Sequence, residues 1–290
     1  MCRLFGLHTG MNPVSATFWL LDAPDSLREQ SHREPDGAGI GVFDQQGRPV
    51  IDKQPMAAWE DSEFAREARV ARSRTFLAHV RYASTGAHTE QNTHPFAQDG
   101  RLFAHNGAFG DLETIDSRLL DLDVQNLVGG QTDSERMFAL ITGEARRRDG
   151  DVAAAIAAAV TWIAENLTVF ALNLIIATPD DLWALRFPAT HQLHVLERPA
   201  SAEYLEVRSR RIHTRSEELA GAASVVVASE PMDGEQGWRL LDPGELIHVD
   251  RDLSVTSTSP LPAEPSHPLT LADLSPAAAA SQGPATAGTT

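Results

Sequence analysis

Runs of apolar and β-branched residues recur along most of the chain and alternate with short polar segments. They predict strands at residues 3–8, 38–43, 75–81, 101–106, 170–177, 181–187, 224–229 and 245–249. Turn sequences bound several of these runs, such as QDG before residue 101 and DPG before residue 245. The pattern therefore predicts a strand-rich protein.

Helical periodicity is less frequent than the strand pattern. It predicts helices at residues 14–31, 60–72, 133–147 and 152–166. Strands and helices do not alternate as they do in βαβ proteins, so we expect an α+β fold with largely antiparallel sheet and helices packed outside it. The apolar stretch from 152 to 177 contains Glu165 and Asn166, so we interpret it as a helix followed by a buried strand and not as a membrane span.

The composition changes at about residue 256. From there the chain is dense in Pro, Ala, Ser and Thr, a composition that buries too little apolar surface to offset the entropy of ordering the chain. We predict one domain at residues 2–255 and a disordered tail at residues 256–290, with a brief helical turn near 268–274.

Composition and charge narrow the choice of partners and compartment. Hydrophobic residues make up 42% of the 290 positions, enough for a sizeable core. Forty acidic residues against 24 basic ones give a net charge of −16, which disfavours nucleic acid and anionic membranes as partners. The one cysteine allows no internal disulfide, and the first twenty residues lack a secretory pattern, so we expect a cytoplasmic protein.

Motifs for metals and cofactors are missing from the sequence. His79, His88, His94 and His105 lie near polar motifs, but their spacing matches no HExxH or similar ligand pattern. Neither GxxxxGK[ST] nor GxGxxG occurs, and there is no GxSxG nucleophile elbow. We expect no metal and no cofactor.

The lone cysteine, Cys2, is adjacent to the initiator methionine. Removal of Met1 would leave a free α-amine on the same residue as the thiol, and an α-amine with a pKa of about 7.7 to 8.0 can accept the thiol proton near neutral pH. This arrangement is typical of N-terminal-nucleophile catalysis. On position alone, an incidental terminal cysteine is the better explanation, so other residues must support the catalytic interpretation.

Further polar motifs fit a site for acyl transfer. In FAHNGAFG, residues 103–110, the Asn106 amide and the Gly107 backbone N–H are candidate oxyanion-hole donors, although a tight turn uses the same residues. Arg81 leaves a strand into a polar loop, where it is either a carboxylate clamp or a surface arginine. Asp133 stands at the start of a predicted helix, as an N-cap, as a partner for a substrate ammonium, or as both.

Taken in order, Cys2, HREPDGAGIG (32–41), RYASTG (81–86), HNG (105–107) and TDSE (132–135) resemble the glutaminase domain of the class II glutamine amidotransferases. The resemblance extends over residues 2 to about 255. It implies an N-terminal-nucleophile hydrolase fold of four αββα layers, with two mainly antiparallel sheets.

The resemblance also implies roles for individual residues. Cys2 would attack the amide carbon of a γ-glutamyl substrate and form a thioester. Asn106 and Gly107 would form the oxyanion hole, Arg81 would bind the substrate α-carboxylate, and Asp133 its α-ammonium. Tyr82 and Ser84 would belong to the substrate-binding loop that follows Arg81.

Three further positions are implied as supports of the site. Arg33 and Asp36 match the charged positions of the family's RGxDSAG segment, although a plain loop with an ion pair explains them nearly as well. Thr85 stands where the large synthases of the family have histidine, a departure that puts in doubt how closely the loop copies theirs.

In this sequence the matching region is followed only by the Pro-, Ala-, Ser- and Thr-rich segment, so we expect a protein similar to stand-alone members of the family. That group includes the γ-glutamyl hydrolase of ergothioneine assembly and a subunit of fungal glutathione degradation, and ASEPMD to GW (228–238) fits it. We expect an amidohydrolase that acts on glutamine or a γ-glutamyl conjugate and releases glutamate with ammonia or an amine. A synthase or peptidase is the kind of protein partner this allows. The alternative is a catalytically silent regulatory or binding subunit with the same fold.

Overall fold

A computed structural model describes residues 2–83, 86–200, 205–208, 213–216, 219, 221–276 and 279. Within these residues the strands are β1 (Arg3–His8), β2 (Gly37–Phe43), β3 (Pro49–Gln54), β4 (Thr75–Arg81), β5 (Phe96–Gln98), β6 (Arg101–Phe109), β7 (Thr168–Ala177), β8 (Leu182–Leu185), β9 (His194–Arg198), β10 (Leu205–Arg208), β11 (His213–Ser216), β12 (Ser224–Ala228), β13 (Arg239–Leu240), β14 (Leu246–Val249), β15 (Val255–Thr258) and β16 (His267–Pro268). The helices are α1 (Leu27–Gln30), α2 (Ser62–Val70), α3 (Leu112–Asp121), α4 (Asp133–Arg146) and α5 (Val152–Asn166). Shorter turns are a π-helical turn at Phe18–Asp22 and 3-10 turns at Glu90–Asn92, Gln125–Leu127 and Leu271–Asp273.

In the described part of the chain, two seven-stranded sheets hold most of the strands. Sheet A has the order β13-β9-β12-β1-β4-β2-β3. Sheet B has the order β15-β14-β8-β7-β6-β5, with β16 pairing beside β7. Neighbouring strands within each sheet are antiparallel, apart from the parallel pair of β16 and β7. β10 and β11 form a separate antiparallel pair.

The two sheets face each other across a buried apolar layer. Alternate side chains of the central strands fill this layer, including Leu4, Leu77, Leu102 and Ile175. The opposite face of sheet A packs on α1, α2 and the π-helical turn, and the opposite face of sheet B packs on α3, α4 and α5. These four αββα layers, with two mainly antiparallel sheets, confirm the predicted fold class.

Glycines on the inner face of β2 allow a close approach between the layers. A Cβ atom at Gly39 would collide with the backbone oxygen of His94, and one at Gly41 would come within 2.9 Å of the Leu102 side chain. Only glycine, which has no side chain, leaves room for these neighbours. His94, in the segment between β4 and β5, therefore lies directly against β2 of sheet A.

Most predicted elements are present. The eight predicted strands correspond to β1, β2, β4, β6, β7, β8, β12 and β14, and three predicted helices correspond to α2, α4 and α5. The continuous helix predicted at 14–31 is wrong, because the chain forms the π-helical turn, becomes extended at Ala23 and resumes as α1. Ala23 precedes Pro24, and a residue before proline is disfavoured in the helical conformation. The elements that were not predicted are helix α3 and the strands β3, β5, β9, β10, β11, β13, β15 and β16.

Part of the segment assigned to a disordered tail is structured. β15 continues to Thr258, and β16 pairs with the beginning of β7. A 3-10 turn at Leu271–Asp273 matches the helical turn predicted near 268–274. Backbone pairing with a neighbouring strand orders these residues despite their composition. Composition alone does not reveal such a pairing. Residues 277–278 and 280–290 lie outside the described residues, where the tail remains a prediction.

The long apolar stretch resolves into two elements, as predicted. Residues 152–166 form α5, and residues 168–177 form the buried strand β7. Among the described residues, none of the helices has both the length and the apolar character needed to cross a bilayer.

Candidate active site

Cys2 lies at the start of β1, a central strand of sheet A. β1 pairs with β12 on one side and β4 on the other. The backbone of Leu4 is held further by Ser229, whose hydroxyl accepts from the Leu4 N–H at 2.9 Å and whose own N–H donates to the Leu4 oxygen at 3.1 Å. The terminal segment is therefore fixed in the sheet, and it does not fray.

The Cys2 thiol contacts the backbone of Tyr82. The Tyr82 N–H donates to Sγ at 3.3 Å, and Sγ lies 3.4 Å from the Tyr82 oxygen, to which it donates. Burial raises the pKa of the thiol, and the Tyr82 backbone contact offsets this only in part. The thiol is thus held in its neutral form, and a base must remove its proton before it can act as a nucleophile.

Arg81 ends β4 next to Cys2 and is buried. Burial lowers the pKa of its guanidinium, while the nearby groups of Cys2, Asp36 and Asp133 act in the opposite sense. Two predicted substrate-binding residues, Arg81 and Asp133, therefore lie within electrostatic range of each other, and Arg81 also of the thiol.

Asp36 holds the chain that follows Arg81. Its carboxylate accepts from the Ala83 N–H at 2.8 Å, and its own N–H donates to the Arg81 oxygen at 2.9 Å. These contacts fit the supporting position predicted for Asp36. Ser84 and Thr85, also predicted in this loop, lie outside the described residues.

Arg33, the other predicted support, belongs to a group of charged side chains around the start of β1. This terminal charge cluster consists of Arg3, Asp25, Arg33, Glu34 and Glu230. Arg33 contacts Glu230 at 2.8 Å and Asp25 at 3.3 Å. Arg3 contacts the same Glu230 oxygen at 2.8 Å, Glu34 at 3.4 Å, and the Cys2 backbone oxygen at 3.4 Å.

Burial and the adjacent Glu230 carboxylate raise the pKa of Asp25 in this cluster to about 6. Burial also raises the pKa of Glu34. No sequence motif identified Arg3, Glu34 or Glu230. An arginine inside an apolar strand is a sign that a buried partner exists, but the partner stands 227 positions away and no local pattern identifies it.

Asn106 lies on the face of β6 that is turned toward sheet A, the same face as Leu102 and Ala104. It is 1% exposed, and among the described residues neither its amide oxygen nor its amide nitrogen has a hydrogen-bond partner. A buried amide in this state is costly, and such groups in native proteins call for an explanation, such as a ligand.

Gly107 approaches the neighbouring strand too closely for any side chain. A Cβ atom there would overlap the Ala171 backbone oxygen and lie 2.7 Å from the His105 ring. Leu172, its partner on β7, donates its N–H to Phe187, so Gly107 and Leu172 form a non-hydrogen-bonded pair. The Gly107 N–H therefore points to the other edge of β6.

Asp133 lies at that same edge. It is the first residue of α4, and the cap is Thr132, whose hydroxyl accepts from the Glu135 N–H. The Asp133 carboxylate accepts from the Phe109 N–H of β6 at 3.2 Å and from the Ser134 N–H at 2.8 Å. These bonds leave acceptor capacity on the carboxylate, so the site can also take an ammonium group.

His105 of β6 contacts Ser134, the residue that follows Asp133 in α4. Its Nδ1 lies 2.9 Å from the Ser134 hydroxyl, and its Nε2 lies 3.3 Å from the Ala171 oxygen. Burial lowers the pKa of the ring. A neutral ring that donates from Nε2 accepts from Ser134 at Nδ1, so His105 positions the start of α4 against β6. The described residues contain no group of three His, Cys, Asp or Glu side chains arranged to hold a metal ion.

The comparisons with known proteins agree with this fold. The sequence profile of the class II glutamine amidotransferases matches residues 1–270, and the chain belongs to this family of enzymes. A γ-glutamyl-hercynylcysteine sulfoxide hydrolase of Mycolicibacterium smegmatis is 30% identical over 259 residues, which are 85% of this chain and 95% of that protein. The probable glutamine amidotransferase DUG3 of Saccharomyces cerevisiae is 28% identical, over 52% of this chain and about half of its own length, 49%.

Solved structures show the same fold at low identity. A glutamine aminotransferase class-II domain protein of Silicibacter pomeroyi superposes with a TM-score of 0.60 at 21% identity, covering 90% of this chain and all of that one. The glutamine phosphoribosylpyrophosphate amidotransferase of B. subtilis superposes with a TM-score of 0.59 at 19% identity, over 89% of this chain and 49% of its own.

Proposed function

We propose that this protein hydrolyses the γ-glutamyl amide bond of glutamine or of a γ-glutamyl conjugate through a thioester on Cys2. The observation that carries the proposal is the Asn106 side chain, a buried amide with both polar atoms unpartnered among the described residues. It belongs to the strand that faces the sheet of Cys2. The names of relatives that hydrolyse a γ-glutamyl compound or transfer glutamine nitrogen support the same chemistry.

Acylation begins with the neutral thiol. Removal of Met1 exposes the α-amine of Cys2, which takes the thiol proton as Sγ attacks the amide carbon. The carbonyl oxygen becomes an oxyanion, which the Asn106 amide and the Gly107 N–H stabilise with two hydrogen bonds. The α-ammonium then gives its proton to the leaving nitrogen, the C–N bond breaks, and ammonia or an amine departs from the thioester.

Deacylation reverses the proton transfers. The α-amine takes a proton from water as the water oxygen attacks the thioester carbon, and the same two donors stabilise the second oxyanion. The C–S bond breaks, the proton returns to the thiolate, and glutamate leaves. One water is consumed for each amide cleaved.

The charged end of the substrate is bound by side chains of opposite sign. Arg81 pairs with the α-carboxylate, because a guanidinium offers two parallel N–H donors to a carboxylate. Asp133 pairs with the α-ammonium. Tyr82 and Ser84 are proposed to contact the substrate as well, and Asp36 holds Ala83, which lies between them in the sequence.

The test uses the single cysteine. Protein with Met1 removed is incubated with a diazo-ketone analogue of glutamine, and its intact mass is measured, while ammonia release from glutamine and amine release from γ-glutamyl peptides are assayed in parallel. We expect one adduct per chain, and a loss of turnover of at least about 10⁴-fold in Cys2→Ala.

An N-terminal tag that blocks the Cys2 amine is the matched control. It leaves every side chain intact and is expected to abolish turnover, whereas the same tag after Thr290 leaves turnover unchanged. Full turnover by the N-terminally tagged protein refutes the role of the amine. Absence of both adduct and turnover in untagged protein refutes the proposed function.

A further inference from the structure

The chain from residue 266 to 274, here called the strap, crosses the beginning of β7. The Ser266 N–H donates to the Ala164 oxygen at 2.7 Å, and the Leu269 N–H donates to the Val169 oxygen at 2.7 Å. Thr270 then begins a 3-10 turn with a reciprocal cap, in which its N–H and hydroxyl both donate to the Asp273 carboxylate. Backbone hydrogen bonds therefore hold the first half of the strap against the protein, and an internal cap orders its second half.

Two leucines of the strap pack on a small apolar cluster next to Asn106. Leu269 and Leu274 are partly buried against a small apolar cluster of Ala108, Phe170 and Ala171. Ala108 is two residues beyond Asn106 on β6, so the two side chains share a face and lie about 7 Å apart. The strap thus meets the inner face of sheet B next to the oxyanion donor.

Contacts between the two sheets show which strand of sheet A lies over which strand of sheet B. A Cβ atom at Gly6 of β1 would contact Leu182 of β8 and Ile175 of β7, while one at Gly41 of β2 would contact Leu102 of β6. The order β12-β1-β4-β2 of sheet A therefore lies over the order β8-β7-β6 of sheet B.

This order sets the direction of a bound substrate. Arg81 on β4 and Asp133 at the open edge of β6 lie on one side of Cys2, where the charged end of the glutamyl group binds. The group attached to the amide nitrogen must leave on the opposite side, toward β12 and β7. The strap lies on this side, because β16 pairs with β7 and not with β6.

We propose that the strap forms an apolar wall of the leaving-group subsite, with Leu269 and Leu274 beside Phe170. The preferred substrate is accordingly a γ-glutamyl amide whose amine carries an apolar or aromatic body, since ammonia would gain nothing from such a wall. This inference rests on the proposed function and specifies its substrate class.

The test compares two alkyl amides of similar reactivity, γ-glutamyl benzylamide and γ-glutamyl methylamide, with glutamine as a third substrate. We expect the wild-type kcat/KM to favour the benzylamide by about 10-fold or more, the scale of an added apolar contact in a pocket. Leu269→Ala and Leu274→Ala should each reduce this preference about 10-fold and leave kcat/KM for glutamine within about twofold.

Leu271→Ala is the matched control, because Leu271 belongs to the same strap and is 49% exposed. It should change neither kinetics nor melting temperature. Leu274→Met, which keeps the volume, should restore the preference for the benzylamide. Equal losses for all three substrates in the alanine variants identify a merely structural strap and overturn the proposal.

The two proposals fail in distinguishable ways. Wild-type turnover of glutamine without a preference for the benzylamide overturns the leaving-group wall and leaves the proposed function intact. No turnover of any of the three substrates by protein with a free Cys2 amine overturns both.

Discussion

Asn106 and Asn173 lie directly opposite each other on β6 and β7, and both are buried. The Asn173 amide nitrogen donates to the Gln192 oxygen at 3.1 Å, and its amide oxygen accepts from the Phe187 N–H at 3.0 Å. The amide of Asn106 has no partner among the described residues. Two neighbouring, chemically identical side chains therefore differ in whether the fold satisfies them.

The difference fits a structural role for Asn173 and the proposed catalytic role for Asn106. Leaving a buried amide unpaired costs about 1–3 kcal/mol, so a fold that needed Asn106 only for stability would have paired it, as it pairs Asn173. Asn173 holds the chain after β8 against β7. The Asn106 donor is used by none of the described residues, as the proposed function requires.

The largest expected effect is that of Asn106→Ala. We expect kcat to fall about 10²- to 10³-fold, equivalent to about 3–4 kcal/mol, because the proposed mechanism assigns the Asn106 amide as an oxyanion donor. The melting temperature should stay the same or rise, since the Asn106 side chain makes no hydrogen bond with the described residues. Steady-state kinetics and thermal unfolding measure the two effects. If Asn106→Ala instead unfolds at a lower temperature and keeps its kcat, Asn106 has a structural role and the proposed catalytic role is wrong.

Asn173→Ala tests the other half of the comparison. The Phe187 N–H and the Gln192 oxygen both lose their partner, so the free energy of unfolding should fall by about 1–3 kcal/mol. The kcat of the folded fraction should stay within a few-fold of the wild type. Urea unfolding followed by kinetics at low temperature separates these quantities, and a loss of kcat with unchanged stability would contradict the structural role.

The smallest effect concerns Asp25, whose pKa is raised by burial and by the adjacent Glu230 carboxylate. Its pKa rises from 3.8 to about 6 on folding, so the folded chain binds more protons than the unfolded chain between these values. Its contribution to stability is full below pH 4 and is lost as pH rises through 6. We expect Asp25→Asn to remove this loss, about 1 kcal/mol once solvent exposure is allowed for.

Urea unfolding at pH 4 and at pH 7 gives the free energy of unfolding of the variant and of the wild type. The effect is the change, between the two pH values, in the difference between these free energies. Asp44→Asn is a control of opposite sign, because hydrogen bonds from the Arg48 backbone and side chain lower the pKa of Asp44. That variant should lose stability at neutral pH relative to acid pH. The same pH dependence in both variants would contradict the shift at Asp25.

The fold was predictable because its signals are local. The strand patterns of β1, β4 and β6 and the helical patterns of α4 and α5 each lie within a short window of sequence. The strand-rich order then excludes a parallel α/β fold. Helix α3 has the apolar spacing of Ile115 and Leu119, a signal that was present and not used.

The site was predictable only in part, because its supports are long-range. Short motifs identified Cys2, Arg81, Asn106 and Asp133 as candidates. The contact of Arg3 with Glu230 joins opposite ends of the chain, and no window of sequence contains both. The strap was assigned to a disordered tail because composition says nothing about a backbone partner such as β7.

The pairing of β1 also determines when the site is assembled during folding. Phe5 pairs with Ala78 and with Ala228, so the strand that presents Cys2 closes one loop of about 70 residues and another of about 220. Contacts of such separation form slowly, since the entropy of loop closure is lost before they contribute. Refolding protein should regain its helices well before it regains catalysis. The return of activity would then mark the pairing of β12 with β1.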